Sequence, residues 1–290
     1  MGGRRQAFAL YATAPVADVV AACGETALHV VGSSLGGAGA GPDGGDVLVV
    51  LPTADAVASL CEWLISREAS HGCAVRALTA ASSVDERRAL RRREARRRRI
   101  VVCTPVADDA FIAGVAVVVD SCLEGVSRWD PATAAVERHV TLAPRPHLAA
   151  RAARADVVLR LATAAVCAQL PLDSQPPAAA ADPTAAVLWL KAVCAPGGRR
   201  MGGVELASAW PPRAVAAALL RLHAAGLLSP RGALLPAGAG VARLALPSPL
   251  VAAAAFHAFA AGGPEALPAA ARAAAGLSVG LAPLAAAVLR

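Results

Sequence analysis

Four short apolar runs punctuate the first half of the chain: 46–51 (Asp-Val-Leu-Val-Val-Leu), 74–78, 100–104 and 115–120. Each is bounded by charged or turn residues, and the longest show no polar alternation. That pattern predicts strands covered on both faces, as in a parallel sheet. Between and before them, apolar positions recur at helical spacing over 16–31, 54–69 and 85–98. Strand–helix alternation across 46–165 predicts an open α/β sheet with crossover helices. The Gly-rich stretch 32–45 reads as a flexible connector.

Beyond residue 170 the period changes. A Pro/Ala linker over 175–183 leads into helical stretches at 184–194, 213–226 and 249–260, without strand alternation. Between them, 227–235 holds two short apolar runs around a turn. Helices with one small hairpin predict a winged-helix module, with the domain boundary at 176–183.

Composition narrows the function classes. Of 290 residues, 56% are hydrophobic but only 3% aromatic, so Ala, Val and Leu supply the core. Of the 28 basic residues one is lysine, Lys191, which marks a GC-rich coding sequence in which some arginines are substitutes for lysine. The apolar content and a net charge of +7 exclude wholesale disorder. No unbroken apolar core follows Arg4-Arg5, and the most apolar stretch, 246–263, is interrupted by Pro247, Pro249 and His257. Neither a secretory signal nor a membrane span is expected. Seven cysteines without a CxxC pair argue against a disulfide framework or zinc, so no metal site is expected. A reducing compartment, nucleus or cytoplasm, is the expectation. A phosphate-cradling GxxxxGK[ST] loop is also excluded, because Lys191 is followed by Ala192.

Three stretches look like chemistry. Gly32-Ser-Ser34-Leu-Gly36 satisfies the G-x-S-x-G nucleophile elbow, which makes a serine hydrolase using Ser34 one alternative. The Gly-rich sequence that follows cannot start the required helix, so linker is the better reading. Gly39-Ala-Gly-Pro-Asp-Gly44 matches a dinucleotide fingerprint but precedes a strand rather than following one. Nine arginines between Arg87 and Arg99 form a cationic run with affinity for phosphates, or else a solvated helix face.

A family resemblance emerges from the order of several segments. After the first strand come Pro52-Thr53 and Glu62-Trp-Leu; then Ile100-Val-Val-Cys-Thr104-Pro; then Val117-Val-Val-Asp120-Ser121; then Trp129-Asp130-Pro131-Ala-Thr133; then Arg151-Ala-Ala-Arg154-Ala. In this order and spacing they resemble motifs IV, V and VI of the second RecA-like domain of DEAH-box RNA helicases. The Trp-Asp-Pro stretch looks like the turn before that family's β-hairpin. Further on, Ala186-Val-Leu-Trp-Leu190-Lys191, Pro211-Pro212 and Gly226-Leu-Leu228 are similar to its winged helix, and Leu234–Pro249 to the exit from it.

The resemblance implies a fold of α/β class: a RecA-like parallel sheet of the P-loop NTPase type, followed by a mostly helical winged-helix and ratchet region. It divides the chain into a lead-in helix and linker (1–45), a second RecA-like domain (46–175), a winged helix (184–248) and partial ratchet helices (249–290). It implies ATP and magnesium held with a first RecA-like domain outside this polypeptide, and RNA as partner. Arg151 and Arg154 are then the nucleotide-binding residues, with Arg154 the catalytic arginine finger. Thr104, with Arg91, Arg92, Arg97 and Arg98, contacts RNA phosphates. Departures stand beside the matches: Val157 takes the place of a second finger, Ala153 and Asp156 replace two glycines, and Leu90 stands for an adenine-stacking aromatic. Loss of an arginine finger costs on the order of 10³–10⁵ in rate elsewhere. This supports a second alternative, a degenerate helicase remnant acting as an RNA- or protein-binding module.

Overall fold

The structure, a computed structural model, describes residues 7–33, 45–67, 72–92, 97–105, 111–173, 180–194, 210–244, 248–266, 268–269 and 271–272. The chain divides into two compact units, Met1–Val126 with Arg138–Ser174, and Ser127–Glu137 with Gln175–Arg290.

In the first unit, β1 (Phe8–Tyr11), β2 (Asp46–Val50), β3 (Ala74–Leu78), β4 (Arg99–Cys103), β5 (Val115–Asp120) and β8 (Val157–Arg160) form one parallel sheet. Its order is β1-β8-β5-β2-β4-β3. The predicted strands at 46, 74, 100 and 115 fall within one residue of these bounds. Strands β2, β4 and β5 are buried on both faces and so carry apolar runs, while the edge strand β3 leaves Arg76 and Ala77 exposed. The period of two sorts their side chains cleanly. Val47, Val49, Ile100, Val102, Val117 and Val119 face one layer; Leu48, Val50, Val101, Cys103 and Val118 face the other.

Handedness decides which helix covers which layer. Right-handed crossovers in one lateral direction bring α1 (Val19–Gly32) and α2 (Ala54–Ile65) over the first layer. The return direction brings α3 (Val84–Leu90) and α4 (Arg145–Ala152) over the second, and a short α5 (Ala164–Ala168) follows β8. The two helices α1 and α2 approach closely at Gly24, where a Cβ would lie 2.8 Å from Leu60 Cδ1. A larger residue there forces the layer apart.

Several elements differ from the sequence reading. The segment 1–45, read as lead-in helix and linker, supplies the edge strand β1 and the covering helix α1. The basic helix predicted over 85–98 stops at Leu90. Ser83 and Glu86 close a reciprocal cap at its start, and Leu90 is its buried anchor. After Leu90 the positions three and four residues on are Arg93 and Glu94, so no apolar face remains to dock a further turn. Asp130-Pro-Ala-Thr133 lies within the hairpin of β6 (Leu123–Asp130) and β7 (Ala135–Leu142), not before it. Its carboxylate accepts from the Ala132 and Thr133 amides at 3.0 and 3.2 Å and from the Thr133 hydroxyl at 2.8 Å. Those bonds hold the Asp130 carboxyl below its usual range.

The second unit packs α6 (Thr184–Cys194), α7 (Pro212–Ala224), α8 (Pro236–Leu244) and α9 (Pro249–Gly262) around Val187, Leu188, Leu222, Leu227, Leu228 and Val241. Leu228 pairs antiparallel with Leu234, as the two apolar runs predict. Helix α8 was unreadable as a helix because it contains Gly238 and Gly240. The first is required, since a Cβ there would collide with the Leu227 carbonyl oxygen. The single lysine, Lys191, donates from Nζ to Gly232 O at 2.8 Å and so fastens α6 to the turn between the paired runs. Within this unit the Arg221 guanidinium lies 4.5 Å over the Trp129 ring and bonds Asp182 at 2.7 Å. Among the described residues no single helix is long and apolar enough to cross a membrane.

Candidate functional site

In a parallel sheet all strands end on the same edge, so short polar residues that follow apolar runs collect there. Thr53 follows β2 and caps α2, its Oγ1 accepting from the Ala56 amide at 3.2 Å. Thr104 follows β4, half-buried, with its amide donating to Leu78 O at 3.1 Å. At the end of β5 sits Asp120, fully enclosed, and facing it from α4 is Arg151, also fully enclosed. Arg151 Nη1 donates to Asp120 Oδ1 at 2.9 Å, and the Cys122 amide donates to the same oxygen at 2.9 Å. Removing either member would leave the other buried and uncompensated, at a cost of about 3 kcal/mol. Cys122 turns the chain with φ +60, a left-handed value uncommon outside glycine. Burial, and next the nearby Asp120, push its thiol up, which leaves it protonated and unreactive.

The opposite edge carries the second pair. Asp46 opens β2 and Arg99 opens β4, each about 1% exposed. Arg99 Nε and Nη2 donate to Asp46 Oδ2 at 2.9 and 2.6 Å, while the Arg99 amide donates to Oδ1 at 2.9 Å. The remaining donors reach Arg92 O at 2.7 Å and Ala113 O at 2.9 Å. Next to it, Arg98 donates to Gly45 O at 2.6 Å and to Val30 O and Val31 O at 2.9 and 3.2 Å. These are the terminal carbonyls of α1, where a cation is favoured by the helix dipole. Burial lowers the Arg98 guanidinium from its ordinary value.

The residues expected to bind RNA therefore divide between the two edges. Arg91 and Arg92 are exposed at the end of α3, and Arg97 is exposed before β4. Thr104 follows the far end of β4, a five-residue strand, and lies six residues on from Arg98, roughly 20 Å away at the usual rise. The residues aligned with motif VI also divide. Arg151 turns into the fold and onto Asp120. Arg154, half-buried, lies in the loop that enters β8, its amide donating to Arg151 O at 3.3 Å. Val157 begins β8 in register with Phe8 and Val117. Leu90 is a core residue, 4% exposed. Ser34 and the residues 39–44 of the dinucleotide-like stretch lie outside the described residues.

Two crystal structures of Escherichia coli HrpB share this architecture. One, described as a DExH-box NTPase, matches with a TM-score of 0.79 at 21% identity, over 95% of this chain and 33% of that one. The other, described as a DEAH/RHA helicase, matches with 0.76 at 22% identity, over 96% and 34%. The fold is RecA-like. The chain spans about a third of the length of those structures. No family model and no curated protein matches it.

Within the RecA-like frame, sequence reasoning missed both carboxylates that organise the sheet edges. Their signal was present: Asp46 opens, and Asp120 closes, a strand otherwise entirely apolar. A charge abutting such a run must be paired where it is buried. The partners could not be read, because Arg99 is 53 positions from Asp46 and Arg151 is 31 from Asp120.

Proposed function

We propose that this chain is the C-terminal portion of a DEAH-box-like, ATP-dependent RNA helicase. In this reading 46–175, with the strand and helix of the lead-in, is the second RecA-like domain, 184–248 the winged helix, and 249–290 the start of the ratchet domain. One observation carries it: the likeness to HrpB extends over 95% of the chain, sheet and helical unit alike. Exposed Arg91, Arg92 and Arg97 and the half-buried Thr104 contact RNA phosphates, while Arg98 acts mainly as a cap on α1. Arg154 faces a nucleotide held against a first RecA-like domain, and Arg151 supports that loop from the interior through Asp120.

ATP and magnesium fit this chain only in part. It offers the nucleotide one arginine, with Asp156 exposed two residues on and Val157 fixed in β8. That set does not make a clamp for the charge of phosphoryl transfer. Any hydrolysis therefore depends on groups from the other domain. Val157 and Asp156 favour a second reading: a remnant that binds RNA or protein without turnover.

Fluorescence anisotropy of labelled single-stranded RNA across a salt series tests the shared premise. Affinity is expected to fall linearly on logarithmic axes, and Arg97→Ala is expected to lower the slope by about 1. No binding at low salt, or binding that Arg91→Ala, Arg92→Ala and Arg97→Ala all leave unchanged, overturns the assignment.

A further inference from the structure

At the carboxyl ends of β1 and β8, away from the Arg154 loop, lies a pocket of about 240 Å³ lined by Tyr11, Arg145, Leu148, Arg160, Cys167 and small alanines. Leu148 and Cys167 form its buried floor; Tyr11 and Arg145 stand exposed at its mouth. It carries two guanidinium groups, from the last residue of β8 and the first of α4. No carboxylate is among the residues that line it.

The hydrogen bonds of these arginines are all to neutral acceptors. Arg145 Nη2 donates to Ala168 O at 3.0 Å. Arg160 Nη1 donates to the Tyr11 hydroxyl at 2.9 Å, and Nη2 makes a long contact with Leu148 O at 3.5 Å. Arg160 Nε is buried without a hydrogen-bond partner. Asp120, in register with Arg160 on the neighbouring strand, accepts through Oδ1 from Arg151 and the Cys122 amide and makes no hydrogen bond to Arg160. Each guanidinium has five N–H donors, so most of this capacity is unused. The Tyr11 hydroxyl accepts from Arg160 and so keeps its own proton to donate outward. Two uncompensated cations and a phenol O–H around one small cavity form a site for an oxyanion. The carboxyl edge of an open parallel sheet is also where such folds place their ligands.

We propose that this pocket binds a phosphate group, held by Arg145, Arg160 and the Tyr11 hydroxyl. The site is independent of the nucleotide reading for Arg154. A free phosphate ion, the end of a 5′-phosphorylated strand and a backbone phosphate share this chemistry.

Calorimetric titration of the full chain with inorganic phosphate, a 5′-phosphorylated oligoribonucleotide and its 5′-hydroxyl counterpart tests the site and separates the sources. Arg145→Gln, at an exposed position that leaves the core intact, is expected to weaken binding roughly tenfold, and Arg160→Gln at least as much. If the loss appears with phosphate and the 5′-phosphorylated strand alone, the site takes a terminal phosphate. If it appears equally with the 5′-hydroxyl strand, the site takes a backbone phosphate. If neither substitution alters binding of any of the three, or if none of the three binds wild-type protein, the proposal is overturned.

Discussion

The two edges of the sheet solve the same problem, a buried aspartate against a buried arginine, in different ways. At the amino edge Asp46 uses both oxygens, and Arg99 ties together β2, β4, the end of α3 and the loop before β5. At the carboxyl edge Asp120 Oδ1 takes both the Arg151 and the Cys122 bonds, while Oδ2 makes no hydrogen bond. The amino edge is a closed strut. The carboxyl edge is less fully paired, and the unused donors of the proposed phosphate pocket lie there. In this sheet the amino-edge pair is the more fully bonded of the two, and the proposed phosphate pocket lies at the carboxyl edge, where open α/β sheets commonly bind ligands.

Removing one member of a pair is the most forceful way to break this contrast. Asp46→Ala or Arg99→Ala is expected to cost about 3–5 kcal/mol, because the partner remains buried and charged. Asp120→Ala or Arg151→Ala is expected to cost less, about 3 kcal/mol, since fewer segments depend on that pair. Urea unfolding of the four variants checks the order, and a double-mutant cycle on each pair measures its coupling directly. Equal couplings at the two edges contradict the distinction.

A smaller effect sharpens the amino edge. Arg98→Ala is expected to cost about 1 kcal/mol through the lost α1 cap, against less than about 0.5 kcal/mol for exposed Arg97→Ala. In RNA affinity the order reverses, with Arg97 the more important. The smallest difference concerns local opening. Cys122 beside Asp120 and Cys73 beside the start of β3 are both buried thiols. Mass-resolved alkylation in dilute urea is expected to label Cys122 before Cys73, because the carboxyl edge opens at lower free energy. Simultaneous labelling places both in one cooperative unit.

These fates explain how much was legible beforehand. Strand positions were readable because burial on both faces demands unbroken apolar runs, and 47–50, 100–103 and 117–119 comply. Edge strand β1 was not, since three of its four residues are exposed and nothing in Phe-Ala-Leu-Tyr separates strand from helix. For the candidate site residues, the sequence named positions but not their partners. Thr104 was singled out by its likeness to the family's motif V, and the fold sets it just past the end of β4. Three successive arginines, by contrast, read as one cationic field. The fold makes Arg97 a surface charge, Arg98 a helix cap and Arg99 a buried strut. Composition hides that difference, because an arginine-rich chain uses the same residue for solvation, capping and ion pairing, and only the tertiary partner tells them apart. Arg151 and Arg154 divide in the same way, one in the last turn of α4 and one three positions on in the loop that enters β8.

The account rests on this chain being one jaw of a nucleotide clamp, without a phosphate loop of its own. Steady-state release of phosphate from ATP by the purified chain, with and without single-stranded RNA, tests that most directly. The account predicts no RNA-stimulated turnover above background. Robust turnover that Arg154→Ala abolishes would mean that these 290 residues hold a complete catalytic site, and would contradict it.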